Sequence, residues 1–383
     1  MNNQLKPVEE QVIVLTGASS GIGLATARAL AERGAKLVLA ARNAEVLADL
    51  VREIEAKGGE ALAVETDVSK REDLERLAQR AKERFGGFDT WINNAAVAIY
   101  GSVFEVPLED HRQLIETNYW GVVNGSLIAA EHLKTRGGKI INTGSVLSER
   151  AMMLQAPYSA SKHAVKGFTD GLRMEIEEQG MPISVTLIKP SAIDTPYMEH
   201  ARTYLDEAGT KNPPPAYDPA VVAKAMVFAC EHEKRELTVG FGGFAIAAMA
   251  TLAPRLTDYA MELTGRVTQT SHDPGRPQRR DNLYRAREDG AERSSLPGGS
   301  RKTSLFLEAQ MHPVATFILL GAVGAGIGAL LARGNGSKGR GDPARDYDTL
   351  AARTANGQGR PEGPDRYGVG GRASKHAPTQ PRA

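Results

Sequence analysis

The chain has 383 residues, with 47 Lys and Arg against 46 Asp and Glu, a net charge of +1, and one cysteine, Cys230. The even charge balance argues against a nucleic-acid-binding surface, and a single cysteine excludes internal disulfides and indicates a reducing compartment. Residues 1–10 are polar and lead directly into an apolar run, so no signal peptide is expected.

A glycine-rich turn follows the first apolar run. Residues 12–15 have the composition of a buried parallel strand, and residues 24–33 suit a helix that ends at Gly34. Between them, Gly17 permits a tight turn, and Gly21 lets the backbone come close to a pyrophosphate. Gly23 lets the helix pack closely on the strand. Strand, turn and helix together predict a dinucleotide site, against the simpler alternative of a purely structural turn.

Strand-like and helix-like segments then alternate along the chain. The predicted strands are 36–40, 61–65, 88–92, 139–143, 183–188 and 236–239, and the predicted helices are 44–57, 70–85, 108–133, 156–179 and 219–230. This alternation is typical of βαβ units around a parallel sheet. We expect an α/β fold with a single Rossmann-type, doubly wound sheet of about seven strands, helices on both faces, and a C-terminal extension.

Tyr158 and Lys162 are four residues apart and therefore share one helical face. A neighbouring cation lowers the pKa of a phenol, so the pair suits proton transfer in a carbonyl/alcohol interconversion. By itself this spacing is also compatible with a solvated helix face.

The ordered set of motifs resembles the short-chain dehydrogenase/reductase family over about residues 10–250. The motifs are Thr16-Gly-x-x-x-Gly-x-Gly23, Asn93-Asn94-Ala95-Ala96, Ser145 and Tyr158-x-x-x-Lys162. The resemblance implies binding of NAD(H) or NADP(H) and hydride transfer between nicotinamide and a carbonyl or alcohol. It also implies a homo-oligomer formed through the helices at 108–133 and 156–179.

The resemblance assigns four catalytic residues. Ser145 would stabilise charge on the substrate oxygen, Tyr158 would exchange its proton, and Lys162 would lower the pKa of Tyr158 and hold the nicotinamide ribose. The backbone of the helix at Asn118 would help to hold a relay water. The implied cofactor-binding residues are Thr16, Gly17, Ser19, Ser20, Gly21, Ile22, Gly23, Arg42, Asp67, Val68, Asn94, Ala95, Tyr158, Lys162, Pro190, Ile193 and Thr195; no metal site is expected. Ala96 and Ser191 stand where the family often has glycine.

Cofactor choice is predicted from the end of the second strand, where Ala41 and Arg42 replace the acidic residue typical of NAD enzymes. A guanidinium can pair with the 2′-phosphate of NADP. NADP(H) is therefore predicted over NAD(H), with the alternative that Arg42 only caps a solvated helix start.

The C-terminal third departs from the family pattern. Residues 1–262 are assigned to the catalytic domain, with a substrate lid at 197–217. Residues 263–312 are expected to be a disordered Arg-, Pro- and Ser-rich linker, and 334–383 a disordered tail. Residues 313–333 include an uncharged stretch, 314–332, long enough for a membrane helix. The sequence thus predicts a cytoplasmic catalytic domain associated with a membrane, the alternatives being a buried or an interfacial helix.

The leading functional prediction is an oxidoreductase that uses a Ser-Tyr-Lys mechanism on a small, apolar carbonyl or alcohol. A catalytically idle binding or scaffold protein at a membrane is the alternative from a different class. An epimerase or dehydratase of the same superfamily is disfavoured by the glycine spacing and by the lack of a large substrate domain. The sequence does not identify the substrate.

Overall fold

The computed structural model describes residues 5–205, 209–271, 281–287, 290–295 and 298–318, together with isolated positions between 321 and 330. The chain divides into two units, Met1–Ile318 and Leu319–Ala383. The fold and the candidate site belong to the first unit.

A seven-stranded parallel sheet forms the centre of this unit. Its strands are β1 (Val12–Thr16), β2 (Lys36–Ala41), β3 (Glu60–Glu65), β4 (Thr90–Asn93), β5 (Gly138–Thr143), β6 (Ile183–Pro190) and β7 (Glu236–Val239). Their order is β7-β6-β5-β4-β1-β2-β3, and every neighbouring pair is parallel. The predicted doubly wound sheet is confirmed. Its order reverses direction next to β1, which opens a crevice at the carboxyl ends of β1 and β4.

Helices cover both faces of the sheet. They are α1 (Gly21–Glu32), α2 (Ala44–Ala56), α3 (Arg71–Phe85), α4 (Leu108–Ile115), α5 (Gly121–Leu133), α6 (Ala156–Glu178), α7 (Tyr197–His200), α8 (Pro219–Glu231), α9 (Phe241–Leu252), α10 (Pro254–Gln269) and α11 (Leu305–Met311). Side chains of α1, α2 and α8 share one core cluster, and those of α3, α5 and α6 share the other. The alternating side chains of β1 separate these clusters, since Ile13 and Leu15 belong to the first and Val12 and Val14 to the second.

The predicted helix at 108–133 is divided by a wider turn. Residues Glu116–Trp120 between α4 and α5 form a π-helical turn, in which the N–H of Gly121 donates to the carbonyl of Glu116. The hydrophobic periodicity of the sequence does not show the one extra residue that a π-helical turn inserts into a helix. Such insertions are frequent at functional sites, and this one lies next to the site described below.

Parts of the segment expected to be a disordered linker are instead ordered. Helix α10 extends to Gln269, residues 281–287 and 290–295 pack on the sheet domain, and α11 covers β7. Leu283 and Leu307 are fully buried, which provides an apolar anchor within a polar stretch. Gln310 accepts a hydrogen bond from Thr238 N–H and donates one to Thr238 O. Its side chain thus satisfies backbone groups along the outer edge of β7.

The predicted membrane helix lies largely outside the described residues, which are continuous only as far as Ile318. Among the residues that the structure describes, no helix combines the length and the apolar composition needed to cross a bilayer. The predicted tail at 334–383 also lies outside the described residues.

Candidate active site

The glycine-rich turn between β1 and α1 is tightly enclosed by its neighbours. Gly17 adopts a φ of +69°, and a Cβ there would lie 2.7 Å from the Cα of Ala95. At Gly23 a Cβ would lie 1.9 Å from the carbonyl oxygen of Gly17, while Gly21 has a φ of +54° and faces Thr195. A side chain at Gly17 or Gly23 would displace backbone, and one at Gly21 would be strained by the positive φ. The turn brings the N-terminus of α1 to the crevice, where N–H groups without partners inside the helix and the helix dipole favour an anion.

Thr16 and Asn94 join the end of β1 to the end of β4. The Thr16 hydroxyl donates to Ile92 O and accepts from the N–H groups of Asn94 and Ala95. Asn94 Nδ2 donates to the carbonyls of Thr16 and Gly17. These bonds hold the turn in place. Thr16 lines neither of the two cavities described below, and its predicted contact with a cofactor stays a prediction.

Ser145, Tyr158 and Lys162 lie together at the carboxyl end of β5. Lys162 Nζ donates to Thr143 O at 2.8 Å and lies 5.6 Å from the centre of the Tyr158 ring. Ser145 begins a short 3₁₀ turn, and its hydroxyl accepts from Leu147 N–H at 3.1 Å. An accepting hydroxyl keeps its proton for a second partner. All three side chains are buried but border the larger cavity.

Burial is the largest influence on the pKa values of Tyr158 and Lys162. It raises the pKa of Tyr158 to about 12, although hydrogen bonding with Tyr197 and Ser145 opposes the shift. It also lowers the pKa of Lys162 to about 8. Desolvation of the phenolate is thus the largest influence on the pKa of Tyr158, and the predicted lowering by Lys162 stays a prediction.

Asn118 is fully buried in the π-helical turn and does not reach the cavity. Its Oδ1 accepts from Val97 N–H at 2.8 Å, and its Nδ2 donates to Val97 O at 3.0 Å and to Ser161 Oγ at 3.1 Å. Ser161 in turn donates to Tyr158 O at 2.7 Å. The side chain thus ties α6, at Tyr158, to the loop after β4.

A cavity of about 310 Å³ opens beside Tyr158. The glycine-rich turn and residues 190–196 form one side of it. The predicted lid region supplies the other, through Tyr197, Met198 and the prolines 213–215. Gly242, Gly243 and Ile246 of α9 complete the wall. Apolar and aromatic side chains around a few polar groups are typical of a small-molecule site.

A second cavity of about 100 Å³ lies on the other side of Ser20 and Ala96, which border both. It is lined by the ends of β1, β2 and β4 and by Asn282, Ala286 and Arg287. Asp67 lies here, and its Oδ1 accepts from the N–H and hydroxyl of Ser69, so it also forms a local turn. The predicted cofactor residues that line these two cavities are Gly17, Ser19, Ser20, Gly21, Ile22, Gly23, Arg42, Asp67, Val68, Asn94, Ala95, Tyr158, Lys162, Pro190, Ile193 and Thr195.

Arg42 lies in the wall of the second cavity, in contact with C-terminal residues. Its Nη2 donates to Asn282 O at 2.5 Å and its Nη1 to Leu283 O at 3.5 Å. Burial lowers the pKa of the guanidinium, against the attraction of Asp67 and Asp281. Sequence reasoning missed Asn282, Ala286 and Arg287, because the polar segment that contains them carries no periodic or glycine-rich signal.

The residues present fit a nicotinamide dinucleotide. Two adjoining cavities lie on either side of the glycine cradle, where an added Cβ would fill the space. Residues of the glycine-rich turn and of 190–195 would hold the pyrophosphate and nicotinamide portions, while Asp67, Val68 and Arg42 would hold the adenosine portion.

Residues 11–205 match the sequence profile of the short chain dehydrogenase family. The uncharacterized oxidoreductase YxnA of Bacillus subtilis is 44% identical over 315 residues, which is 82% of this chain and 88% of that protein. A short chain dehydrogenase from Burkholderia cenocepacia, solved with NADP, is 29% identical with a TM-score of 0.57 and covers 67% of this chain and 99% of its own. A short chain dehydrogenase/reductase from Burkholderia phymatum, solved with NAD, is 28% identical with a TM-score of 0.56. The match covers 70% of this chain and 98% of that protein.

The chain therefore belongs to the short-chain dehydrogenase family and is an oxidoreductase that binds a nicotinamide cofactor. Because residues 1–262 cannot account for a match of 315 residues, the similarity to YxnA extends into the C-terminal segment.

Proposed function

We propose that the protein is an NADP(H)-dependent oxidoreductase that reduces an apolar carbonyl compound by a Ser-Tyr-Lys mechanism. One observation carries this proposal: Ser145, Tyr158 and Lys162 border one cavity, across from the glycine-rich N-terminus of α1. A proton donor and a cofactor cradle thus share the space in which a substrate can lie.

Each side chain has a distinct role in the proposed reaction. The cofactor, when bound, supplies the hydride. Ser145 donates a hydrogen bond to the substrate oxygen and stabilises the negative charge that develops there. Tyr158 transfers its hydroxyl proton to that oxygen, and the ammonium of Lys162 stabilises the resulting phenolate.

The ionisation of Tyr158 supports the reductive direction. Reduction needs the protonated phenol, and a pKa of about 12 keeps it protonated at physiological pH. Oxidation of an alcohol needs the phenolate instead, which the buried site disfavours. Substrate oxidation should therefore become appreciable only at alkaline pH.

The preference for NADP(H) rests on charge at the second cavity. Arg42 contributes a guanidinium to its wall, and no acidic residue occupies position 41 or 42. A 2′-phosphate would find a cation there, whereas the ribose hydroxyl of NAD would find no carboxylate at the end of β2. Arg287 also lines this cavity, and its Nη1 donates to Glu199 O at 3.0 Å.

An apolar substrate is supported by the lining of the larger cavity. Tyr100, Leu147, Met152, Tyr197 and Met198 surround Tyr158, and Gln155 is among the few polar groups near them. Measuring NADPH consumption against aldehydes and ketones of increasing chain length tests the proposal. Turnover should rise with apolar surface. NADPH binding without turnover of any carbonyl compound would favour the scaffold alternative instead.

A homo-oligomer is also proposed, through α5 and α6. Trp120 next to α5, Leu127 on α5 and Met174 on α6 are large apolar side chains that are 44%, 45% and 59% exposed. Exposed apolar side chains on adjacent helices are typical of a subunit contact. Sedimentation velocity should give at least a dimer, and a monomer at micromolar concentration would contradict this proposal.

A further inference from the structure

Residues 281–287 and 290–295, called the strap below, cross the cofactor crevice. They lie C-terminal to the sheet domain and to both α9 and α10. Asn282, Ala286 and Arg287 line the second cavity, and Asn282 also borders the larger one. The strap is therefore an outer wall of the crevice that the sheet domain does not itself provide.

The first end of the strap is anchored in an apolar cluster. Leu283 is fully buried and belongs to the cluster that contains Tyr100 and Tyr158. Asp281 pairs with Arg202 at 3.0 Å, and the Tyr284 hydroxyl donates to Asp110 at 2.8 Å. A buried leucine and two polar contacts hold this end.

The second end is held by polar contacts. Glu292 pairs with Arg28 of α1 at 2.6 Å, and Ser294 Oγ donates to Asp194 at 2.6 Å. The Arg28 and Glu292 side chains remain 37% and 27% exposed. The same end also carries Arg293, which pairs with the buried carboxylate of Asp218, and the N–H of Ser295, which donates to Glu199 Oε1 at 2.6 Å.

The strap occupies hydrogen-bond donors that a dinucleotide phosphate would use. Ala291 O accepts from Gly21 N–H at 2.9 Å, at the N-terminus of α1. The carbonyls of Asn282 and Leu283 accept from the Arg42 guanidinium. A carbonyl oxygen and a phosphate oxygen cannot accept the same N–H at full strength. The strap thus competes at the pyrophosphate position and at the 2′-phosphate position.

We propose that the strap gates the cofactor crevice. It must swing away from Gly21 and Arg42 before the dinucleotide can enter, and it returns as the outer wall of the adenosine cavity. Opening breaks the polar contacts of residues 290–295 and withdraws Leu283 from its apolar cluster, which releases both Gly21 and Arg42. The proposal rests on the proposed binding of NADPH. The similarity to YxnA beyond residue 262 indicates that an extension of this kind is not peculiar to one chain.

Stopped-flow binding of NADPH to the full-length protein tests the gate. If opening limits binding, the observed rate reaches a plateau as NADPH increases, and the plateau equals the opening rate. Glu292→Ala removes the ion pair to Arg28 and should raise the plateau by about fivefold. Leu283→Ala weakens the buried anchor that must leave its cluster on opening, and should raise the plateau by more than about tenfold.

Leu305→Ala is the matched control, since Leu305 is 85% exposed at the start of α11, and its plateau should equal that of the wild type. A plateau that is absent, or that neither strap variant changes while NADPH still binds, would overturn the gate alone. Failure of NADPH to bind the wild type and both variants would overturn the gate and the proposed function together. Binding by the variants but not by the wild type would support the gate.

Discussion

The sheet domain and the strap contribute to the same crevice by different physical means. The domain presents its groups from the ends of β1, β4, β5 and β6, where a fully buried parallel sheet fixes each position. The strap contributes mostly main-chain carbonyls and is held by one buried leucine and several polar contacts. Strands of the sheet therefore hold the proposed chemistry, while the strap, held mainly by polar contacts, forms the proposed gate on the adenosine side. The predictions below separate these two contributions.

The largest effect should come from Tyr158→Phe in the domain. Removing the hydroxyl deletes the proton donor, so turnover with a carbonyl substrate should fall by about 10³-fold, whereas NADPH affinity should change little. Steady-state kinetics and a fluorescence titration measure the two quantities. Tyr259→Phe, on the exposed side chain of α10, is the control and should leave both unchanged. Turnover near that of the wild type would remove Tyr158 from the mechanism.

Arg42→Asp tests the position where domain and strap meet. Loss of the guanidinium and gain of a carboxylate should lower kcat/KM with NADPH by about 10- to 100-fold, which corresponds to one charged hydrogen bond. The value with NADH should change much less. Arg52→Asp, on a side chain that is 72% exposed on α2, should affect neither cofactor. Equal losses with NADPH and NADH would contradict the assignment of Arg42 to the 2′-phosphate.

A smaller effect should appear in the pH profile of reduction. Burial lowers the pKa of Lys162 to about 8, so the ammonium loses its proton as the pH rises through that value. Because the charged form is the active one, kcat/KM should fall about tenfold per pH unit above 8. Lys162→Arg stays charged and should shift the decline to higher pH, even at reduced activity. A flat wild-type profile up to pH 10 would contradict this role.

The smallest effect concerns the C-terminal segment beyond the crevice. Gln310→Ala removes two hydrogen bonds to Thr238 and exposes the edge of β7, so the free energy of unfolding should fall by about 1–2 kcal/mol. Urea denaturation followed by circular dichroism measures it. Gln79→Ala, on the exposed face of α3, should change stability by much less. Equal stability of the two variants would show that α11 does not protect the sheet edge.

Local signals predicted the sheet domain well. Ala95 leaves no room for a side chain at Gly17, the carbonyl of Gly17 leaves none at Gly23, and Gly21 has a positive φ, and the spacing of these glycines is visible in the sequence. Tyr158 and Lys162 share a helical face, so their proximity also follows from the sequence. The raised pKa of Tyr158 did not follow, because it depends on burial by distant segments. The position of the strap depends on long-range packing, such as the burial of Leu283 in the cluster that contains Tyr100. A polar, aperiodic sequence does not reveal such packing.

The position of the strap in the chain has a consequence for biosynthesis. Residues 281–295 follow every strand of the sheet, the glycine-rich turn and Tyr158. Domains fold from the N-terminus during translation, so the crevice forms while the strap is still inside the ribosome or not yet made. A nascent chain can therefore take up its dinucleotide through an open crevice. In the finished protein, uptake and exchange of the cofactor then depend on how often the proposed gate opens.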